Sequence, residues 1–312
     1  MIKIEQLTKR YGQKTAIDHI SFEVKKGERL GFLGRNGAGK STTMNIVTGY
    51  LSPSEGDVTI DGWDILSHPR EAKRRIGYLP EQPPLYMDMT VEEYLRFVCA
   101  IKDVNAKAVP AHLDDLCGRV KIDHVRGRLI RNLSKGYRQR VGIAQALAGS
   151  PEVVILDEPT IGLDPAQVAE IRALIIQLER DRTLVLSSHM LSEVADVCER
   201  VVIIDGGRIT AVDTLARLKA GGQTRTAVRV AGQEALVSAA LSALAGVTRV
   251  EPMDAAEPGA FDFLIESEPG RDIRRELFGV LAGLGAPLLM LKPMDTTLEE
   301  IFHQYTSGSG GA

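Results

Sequence analysis

Runs of apolar residues along the chain predict an α/β protein. Residues 2–7 (IKIEQL) and 19–24 (HISFEV) alternate apolar and polar positions, as strands with one exposed face do. Residues 153–158 (VVILDE) and 183–190 (TLVLSSHM) are continuously apolar before a polar end. Such runs are typical of strands that are buried on both faces of a parallel sheet. Side chains just beyond the carboxyl ends of these strands face the crevice where α/β sheets bind ligands.

A helical insert is predicted at about residues 86–150, before the strand at 153–158. Residues 90–118 have helical character, and they open with Thr90 and Glu93 at the spacing of a capping box. Another helix is predicted to begin after Ser134. The insert therefore interrupts the sheet with a separate helical subdomain.

The pattern of apolar and polar positions changes after residue 218. We take this residue as the end of the first domain (1–218). Residues 219–225 are rich in glycine and charge and are interpreted as a linker. Residues 226–306 give the order β-α-β-β-α-β, typical of a small α+β ferredoxin-like unit, followed by a short amphipathic helix. No catalytic constellation stands out there, so we expect a structural or dimer-contact role. The tail, residues 307–312, is expected to be disordered.

Composition argues against several classes of protein, among them nucleic-acid-binding, disulfide-rich and membrane-spanning proteins. The chain has 312 residues, 44% of them hydrophobic, and a net charge of −3, so no global basic field predicts a nucleic-acid partner. Its three cysteines are scattered, which indicates neither a disulfide framework nor a zinc site and fits a reducing cytosol. No apolar run reaches the ~18 residues needed to span a bilayer.

The most informative motif is GRNGAGKST at residues 34–42, between an apolar strand and a helical stretch, TTMNIVTGYL. Glycines let backbone N–H groups turn inward, and the N-terminus of the following helix favours an anion. The motif matches the P-loop pattern, in which Lys40 reaches the outer phosphates of a nucleotide and the Ser41 hydroxyl binds Mg²⁺.

Polar residues at three strand ends are expected to converge on this loop. Asp157 is interpreted as a Mg²⁺ partner and Glu158 as the group that polarises the attacking water. Gln82, just past another strand, could contact Mg²⁺ or its water, although an exposed loop glutamine is the simpler alternative. His189 is assigned to sensing the γ-phosphate, against the alternative of a structural histidine.

Two further segments have both a functional and a plain interpretation. Tyr11 could stack on a nucleotide base, or it could be a surface tyrosine in a turn. Ser134 could be an ordinary helix N-cap, or its hydroxyl and the Gly136 N–H could face a phosphate.

Together these motifs resemble the ATP-binding subunits of ABC transporters over about residues 1–220. GRNGAGKST resembles the family's Walker A motif, Gln82 its Q-loop, LSKGY (133–137) its signature and VVILDE its Walker B motif. GLD (162–164) resembles the D-loop, His189 the switch histidine and Tyr11 the base-stacking aromatic. In the signature, Lys135 and Tyr137 replace residues of the common LSGGQ form. This variant is similar to those of ABC-2-type exporters, closest to gliding-motility-type (GldA-like) subunits.

The resemblance implies an α/β P-loop NTPase fold, an ATPase activity, and ATP with Mg²⁺ at the site. It implies ATP contacts within one copy of the chain from these residues: Tyr11, Gly34, Asn36, Gly37, Gly39, Lys40, Ser41 and Thr42. Contacts to the ATP of a facing copy are implied for Ser134, Gly136 and Asp164. The metal contacts implied are Ser41, Gln82 and Asp157, and the catalytic residues are Glu158, His189 and Gln82.

The resemblance also implies partners and a location. Two ATPase subunits, identical or paralogous, would face each other around ATP and drive a separate transmembrane permease, in the direction of export. The chain would then be cytoplasmic, at the inner face of the cell membrane. The alternatives are a soluble ATPase that remodels a non-membrane complex and a regulatory nucleotide-binding module without turnover. A single P-loop and the absence of a long coiled coil favour the transporter, and the intact Glu158 disfavours the module.

Overall fold

The computed structural model describes residues 1–178, 182–220, 224–254, 257–268, 270–294 and 298–306. These residues form two compact units, one built from Met1–Thr214 together with the described residues from Gln304 onward, and the other from Leu215–His303.

Two sheets organise the described part of the first unit. Its strands, numbered β1 to β10 in chain order, are Ile2–Tyr11, Lys14–Val24, Arg29–Leu33, Glu55–Ile60, Trp63–Asp64, Ile76–Leu79, Val153–Asp157, Thr183–Ser188, Arg200–Asp205 and Arg208–Thr214. An antiparallel sheet has the order β2-β1-β4-β5, and a mostly parallel central sheet has the order β10-β9-β3-β8-β7-β6. In the central sheet β3, β8 and β7 are parallel neighbours, so their carboxyl ends meet at one edge.

The helices of this unit, α1 to α7, are Lys40–Val47, Pro69–Arg74, Val91–Ile101, Val109–Val120, Lys135–Leu147, Pro165–Gln177 and Leu191–Ala195. The predicted capping box of α3 is confirmed, because Thr90 and Glu93 bond reciprocally to each other's backbone N–H groups. Among the described residues, no helix is both long enough and apolar enough to cross a bilayer.

The core of the first unit lies between the two sheets. Apolar residues of β1, β2 and β4 pack with residues of the central sheet and of α1, among them Leu7, Phe32 and Met44, which are almost fully buried. All five residues of β3 and all five of β7 are buried, as the continuous apolar pattern predicts for interior strands.

Helix α1 ends sooner than the sequence pattern predicts. The expected stretch ran through Leu51, but the helix stops at Val47 and Gly49 adopts a left-handed backbone (φ +69°). The Gly49 and Tyr50 N–H groups then bond back to the carbonyls of Ile46 and Asn45. Glycine tolerates this conformation at low cost, so it terminates the helix.

The second unit has the element order predicted from the sequence. After α8 (Leu215–Ala220) come β11 (Thr224–Ala231), α9 (Glu234–Ser242), β12 (Val247–Met253), β13 (Ala260–Ser267), α10 (Arg274–Gly283), β14 (Leu288–Met294) and α11 (Leu298–Thr306). The antiparallel sheet has the order β12-β13-β11-β14. Its core joins Val228 and Phe263 of the sheet to Leu241 of α9 and Leu277 of α10. Each of the two edge strands carries a proline, Pro252 in β12 and Pro293 in β14.

The predicted linker at residues 219–225 is too long. Helix α8 runs to Ala220, and β11 already begins at Thr224. Thr224 and Arg225 are in the strand because they pair with Ser267 and Glu266 of β13. The predicted tail at 307–312 lies outside the described residues.

A close contact fixes the helical insert on the central sheet. A methyl group added at Gly77 of β6 would lie 1.7 Å from the carbonyl oxygen of Ala146 in α5.

We therefore expect Gly77→Ala to lower the free energy of unfolding by about 1–3 kcal/mol, as overpacking does. Urea unfolding followed through the fluorescence of Trp63, the single tryptophan, measures the loss. Gly127→Ala is the control, because a methyl group there meets open space. Equal unfolding midpoints for the two variants would contradict this account.

Candidate active site

A cleft of about 680 Å³ opens at the P-loop. Its walls come from the ends of β1 and β2 that meet at their turn, from the P-loop and α1, from the end of β7 and from the turn between β9 and β10. The predicted site residues that line it are Tyr11, Asn36, Gly37, Gly39, Lys40, Ser41, Thr42 and Glu158. The fold thus brings together residues from three separate parts of the sequence.

Two constraints favour glycine in the P-loop: the lack of space for a side chain at one position and a positive φ angle at two others. A methyl group at Gly34 would lie 2.5 Å from the Ile204 carbonyl oxygen. Gly37 and Gly39 have φ angles of +81° and +112°, which favour glycine. No side chain caps α1 and its first turn carries no acidic residue, so its N-terminal donors are suited to an anion.

Lys40 is buried against the loop it belongs to. Its ammonium donates to the carbonyl oxygens of Gly34 at 2.8 Å and Arg35 at 3.3 Å. It also lies 3.2 Å from Glu158 Oε1, an ion pair without hydrogen-bond geometry. A buried cation is costly unless it is paired. Glu158 therefore neutralises the lysine that the motif assigns to phosphate.

Glu158 is positioned by backbone as well as by side-chain contacts. It has a left-handed backbone (φ +47°), and its N–H donates to the Ser187 carbonyl oxygen of the neighbouring strand. Its Oε2 lies 2.8 Å from His189 Nδ1. Lys40, Glu158 and His189 thus form one connected set, although they come from three different strand ends.

Asp157 is the most deeply buried acid of the site. It is 1% exposed, and its Oδ1 has no hydrogen-bond partner. Burial raises the pKa of the Asp157 carboxyl, an effect that the nearby Ser187 and Ser41 hydroxyls only partly offset. An orphaned carboxylate oxygen beside a hydroxyl fits Mg²⁺, which binds one or two carboxylates and completes its shell with water and substrate phosphates. Among the described residues, no cluster of three acidic, histidine or cysteine side chains is found that could hold a metal ion.

A second groove, of about 770 Å³, adjoins the cleft and is called the aromatic groove here. Its lining includes Ser41, Asn45, Tyr50, Glu81, Gln82, Tyr86, Tyr94, Phe97 and Asp157. The exposed Gln82 therefore lies in this groove, alongside Ser41 and Asp157, and does not line the cleft. Tyr50 is 83% exposed, and the rings of Tyr86 and Phe97 lie 5.4 Å apart.

Tyr11 stands at the end of β1 with half of its surface exposed. The Lys9 ammonium lies 5.3 Å from the centre of its ring. The ring lines the cleft together with the P-loop, so it is placed where a base attached to P-loop phosphates could stack. Its role in base stacking stays a prediction.

The three residues predicted to act on a facing copy lie together, outside the cleft. We call them the signature patch: Ser134, Gly136 and Asp164. Ser134 caps α5, accepting from the Tyr137 N–H at 3.4 Å, and Asp164 caps α6, accepting from the Gln167 N–H at 2.9 Å. A methyl group at Gly136 would lie 3.0 Å from Gln167 Oε1, so the two helix starts are in contact.

Sequence reasoning missed two features of this region. One is the aromatic lining of the groove between the helical insert and the Gln82 loop, for which the Pro- and Tyr-rich stretch around Gln82 is the only local signal. The other is the contact of Lys135 with Gly162, which joins the signature to the loop before α6. No local pattern could have shown that contact, since the partners lie on different elements.

Comparison with known proteins agrees with this geometry. The family model of the ABC transporter matches residues 17–161. The bacitracin transport ATP-binding protein BcrA of Bacillus licheniformis is 40% identical over 67% of this chain and 68% of its own length. The linearmycin resistance ATP-binding protein LnrL of Bacillus subtilis is 34% identical over 80% of this chain and 81% of its own.

Solved structures of ABC transporter cassettes also resemble this chain. A dimeric bacterial ABC transporter cassette is 27% identical, with a TM-score of 0.63 over 69% of this chain and 99% of its own. The dimeric post-hydrolysis state of that cassette, bound to ADP and Pi, is 26% identical with the same TM-score and the same coverage. The chain therefore belongs to the ABC transporter family and is one of its ATP-binding, ATP-hydrolysing subunits.

Proposed function

We propose that two copies of this chain, or this chain and a paralogue, close head to tail around two ATP molecules and so drive a transmembrane permease. The proposal is supported by the separation of two sets of phosphate-binding groups, the P-loop and the signature patch. The cleft holds the P-loop and Glu158, whereas the signature patch lies outside it. A γ-phosphate bound to Lys40 of one copy would therefore meet Ser134, Gly136 and Asp164 only across an interface.

ATP enters the cleft with its base toward Tyr11 and its phosphates on the P-loop. Lys40 is already neutralised by Glu158, so the triphosphate takes the place of one carboxylate at the ammonium. The displaced carboxylate stays at the site through its contact with His189. Binding thereby frees Glu158 for chemistry without moving it into solvent.

Mg²⁺ would be held by the Ser41 hydroxyl and the Asp157 carboxylate, with Gln82 approaching from the aromatic groove. When bound, the ion would neutralise phosphate charge. The buried Asp157 would gain a cation for its unpartnered oxygen, which removes the cost of leaving that oxygen alone.

Glu158 is proposed to orient and polarise the attacking water. The water oxygen forms a bond to the γ-phosphorus as the bond to the β-phosphate oxygen breaks, leaving ADP and inorganic phosphate. His189, bonded to the other oxygen of Glu158, holds that carboxylate in place and senses the γ-phosphate. Loss of the γ-phosphate removes the group shared by both copies, so the pair opens.

The aromatic groove is the surface proposed for the permease. Exposed rings such as Tyr50 and Tyr86 beside Gln82 suit a segment with an apolar face, and the same groove reaches Ser41 and Asp157. A partner docked there would move when the ATP site rearranges. This would hold the chain at the cytoplasmic face of a membrane through its permease.

Export is the direction we propose. Similar proteins are named for bacitracin transport and linearmycin resistance. The LSKGY signature supports a place in the ABC-2-type exporter branch, near gliding-motility-type subunits. A polytopic membrane protein encoded beside this chain would favour a transporter over a soluble remodelling ATPase.

Glu158→Gln tests the dimer. The amide keeps the size of the side chain but cannot polarise water, so we expect hydrolysis to fall by at least about 100-fold while ATP stays bound. The variant should then accumulate as an ATP-dependent dimer, measured by light scattering after size exclusion. Adding Lys40→Ala should return it to a monomer, because the phosphates lose their cation. A Glu158→Gln chain that stays monomeric at saturating ATP and Mg²⁺ would refute the proposal.

Tyr11→Ala tests base stacking. We expect the ATP dissociation constant to rise about threefold to tenfold, the equivalent of roughly 0.5–1.5 kcal/mol for a lost ring contact. Fluorescent nucleotide titration measures it. Tyr50→Ala is the matched control, since Tyr50 lies in the aromatic groove and should leave ATP affinity unchanged. An unchanged affinity for Tyr11→Ala would favour the surface-tyrosine interpretation.

Asp157→Asn should stabilise the protein without nucleotide or metal. Because burial raises the pKa of Asp157, its ionised form is penalised in the folded chain at neutral pH. Removing the charge should raise the melting temperature in EDTA by a few degrees, given roughly 2–4 °C per kcal/mol. The gain should shrink on acidification toward the ordinary carboxyl range, where the wild-type group is protonated in the fold.

The same variant should lose the additional stabilisation that Mg²⁺ gives with ATP. Asp88→Asn serves as the control, because Asp88 is an exposed partner of Arg131. If Asp157→Asn melts below the wild type in EDTA, the carboxylate is a net stabilising group and the account of the metal site is wrong.

A further inference from the structure

Lys135 stands between the two signature residues assigned to phosphate, Ser134 and Gly136. It is the first residue of α5, and the first turn of that helix has no acidic residue. A cation at a helix N-terminus adds to the positive end of the helix dipole, so the position is unfavourable for the folded chain alone. It is favourable as soon as an anion binds there.

The charge of Lys135 is not neutralised within the described part of the chain. Among the described residues, no carboxylate lies within ion-pair distance of its ammonium. The side chain is exposed at the same surface as Ser134.

Its ammonium is nevertheless held in a defined place. A methyl group at Gly162 would lie 2.2 Å from Lys135 Nζ, and Gly162 has a left-handed backbone (φ +66°). The position favours glycine, and a side chain there would meet the ammonium. Gly162 belongs to the loop that leads from Glu158 to Asp164, so the lysine bridges the two parts of the signature patch.

We propose that Lys135 is a third phosphate-binding group of the signature patch. It brings a positive charge to the γ-phosphate of ATP held by the facing copy, beside the Ser134 hydroxyl and the Gly136 N–H. The inference rests on the dimer proposed above. Since the common signature has glycine here, the lysine would make closure of this pair more dependent on the γ-phosphate charge.

The test uses the full chain in the Glu158→Gln background, where ATP hydrolysis is blocked. Dimer dissociation constants are measured by sedimentation at several salt concentrations, with ATP and with ADP. Adding Lys135→Gln should weaken the ATP dimer at least about 100-fold, as loss of a charged hydrogen bond at each of two sites would, and should flatten its salt dependence. Lys135→Arg keeps the charge and should restore most of the affinity and the salt dependence. Lys107→Gln, an exposed lysine of the insert, is the control and should change neither.

Each outcome has a distinct meaning. If Glu158→Gln alone fails to dimerise, the dimer is refuted and this inference falls with it. If Glu158→Gln dimerises and Lys135→Gln leaves affinity and salt dependence unchanged, only the role of Lys135 is refuted. A weaker dimer with unchanged salt dependence would also refute it, because this indicates packing on Gly162. Nucleotide binding by the monomer should be equal in all variants, since the cleft does not include Lys135.

Discussion

The structure depends on the pairing of charges that are buried where three strands end. Lys40, Asp157 and Glu158 are each less than 10% exposed. Water solvates none of them fully, so each charge needs a partner inside the protein. Glu158 and Lys40 partner each other, whereas Asp157 retains an oxygen with none. A triphosphate and a divalent cation would therefore complete the charge balance of this site.

The order of strands in the central sheet brings these charged residues together. Because β3, β8 and β7 are neighbours, the P-loop, His189 and Glu158 emerge side by side. The helical insert leaves the sheet after β6 and returns before β7, with α5 packed tightly on β6 at Gly77. That packing sets the position of Ser134 relative to the central sheet. The ATP cleft and the signature patch are thus two surfaces of one compact unit.

Much of this could be predicted from the sequence because the signals are local. Continuous apolar runs identify β7 and β8, and the glycine pattern identifies the P-loop. Contacts between residues that are far apart in the sequence have no such local signal. The Lys40–Glu158 ion pair depends on strand order, which hydrophobic pattern alone does not reveal. Asp164 shows a different limit, since one side chain caps α6 and is also assigned to a facing copy. The linker was overestimated because glycine and charge resemble a linker even where the backbone pairs in a strand, as Thr224 and Arg225 do.

The prolines in β12 and β14 protect the two edges of the C-terminal sheet. An exposed sheet edge presents unpaired backbone groups, onto which another chain could add a strand. Proline supplies no N–H donor, so it interrupts that ladder of hydrogen bonds. Pro252 and Pro293 place this interruption on both edges of the C-terminal sheet. Copies of the chain at high local concentration would then resist edge-to-edge aggregation through this sheet.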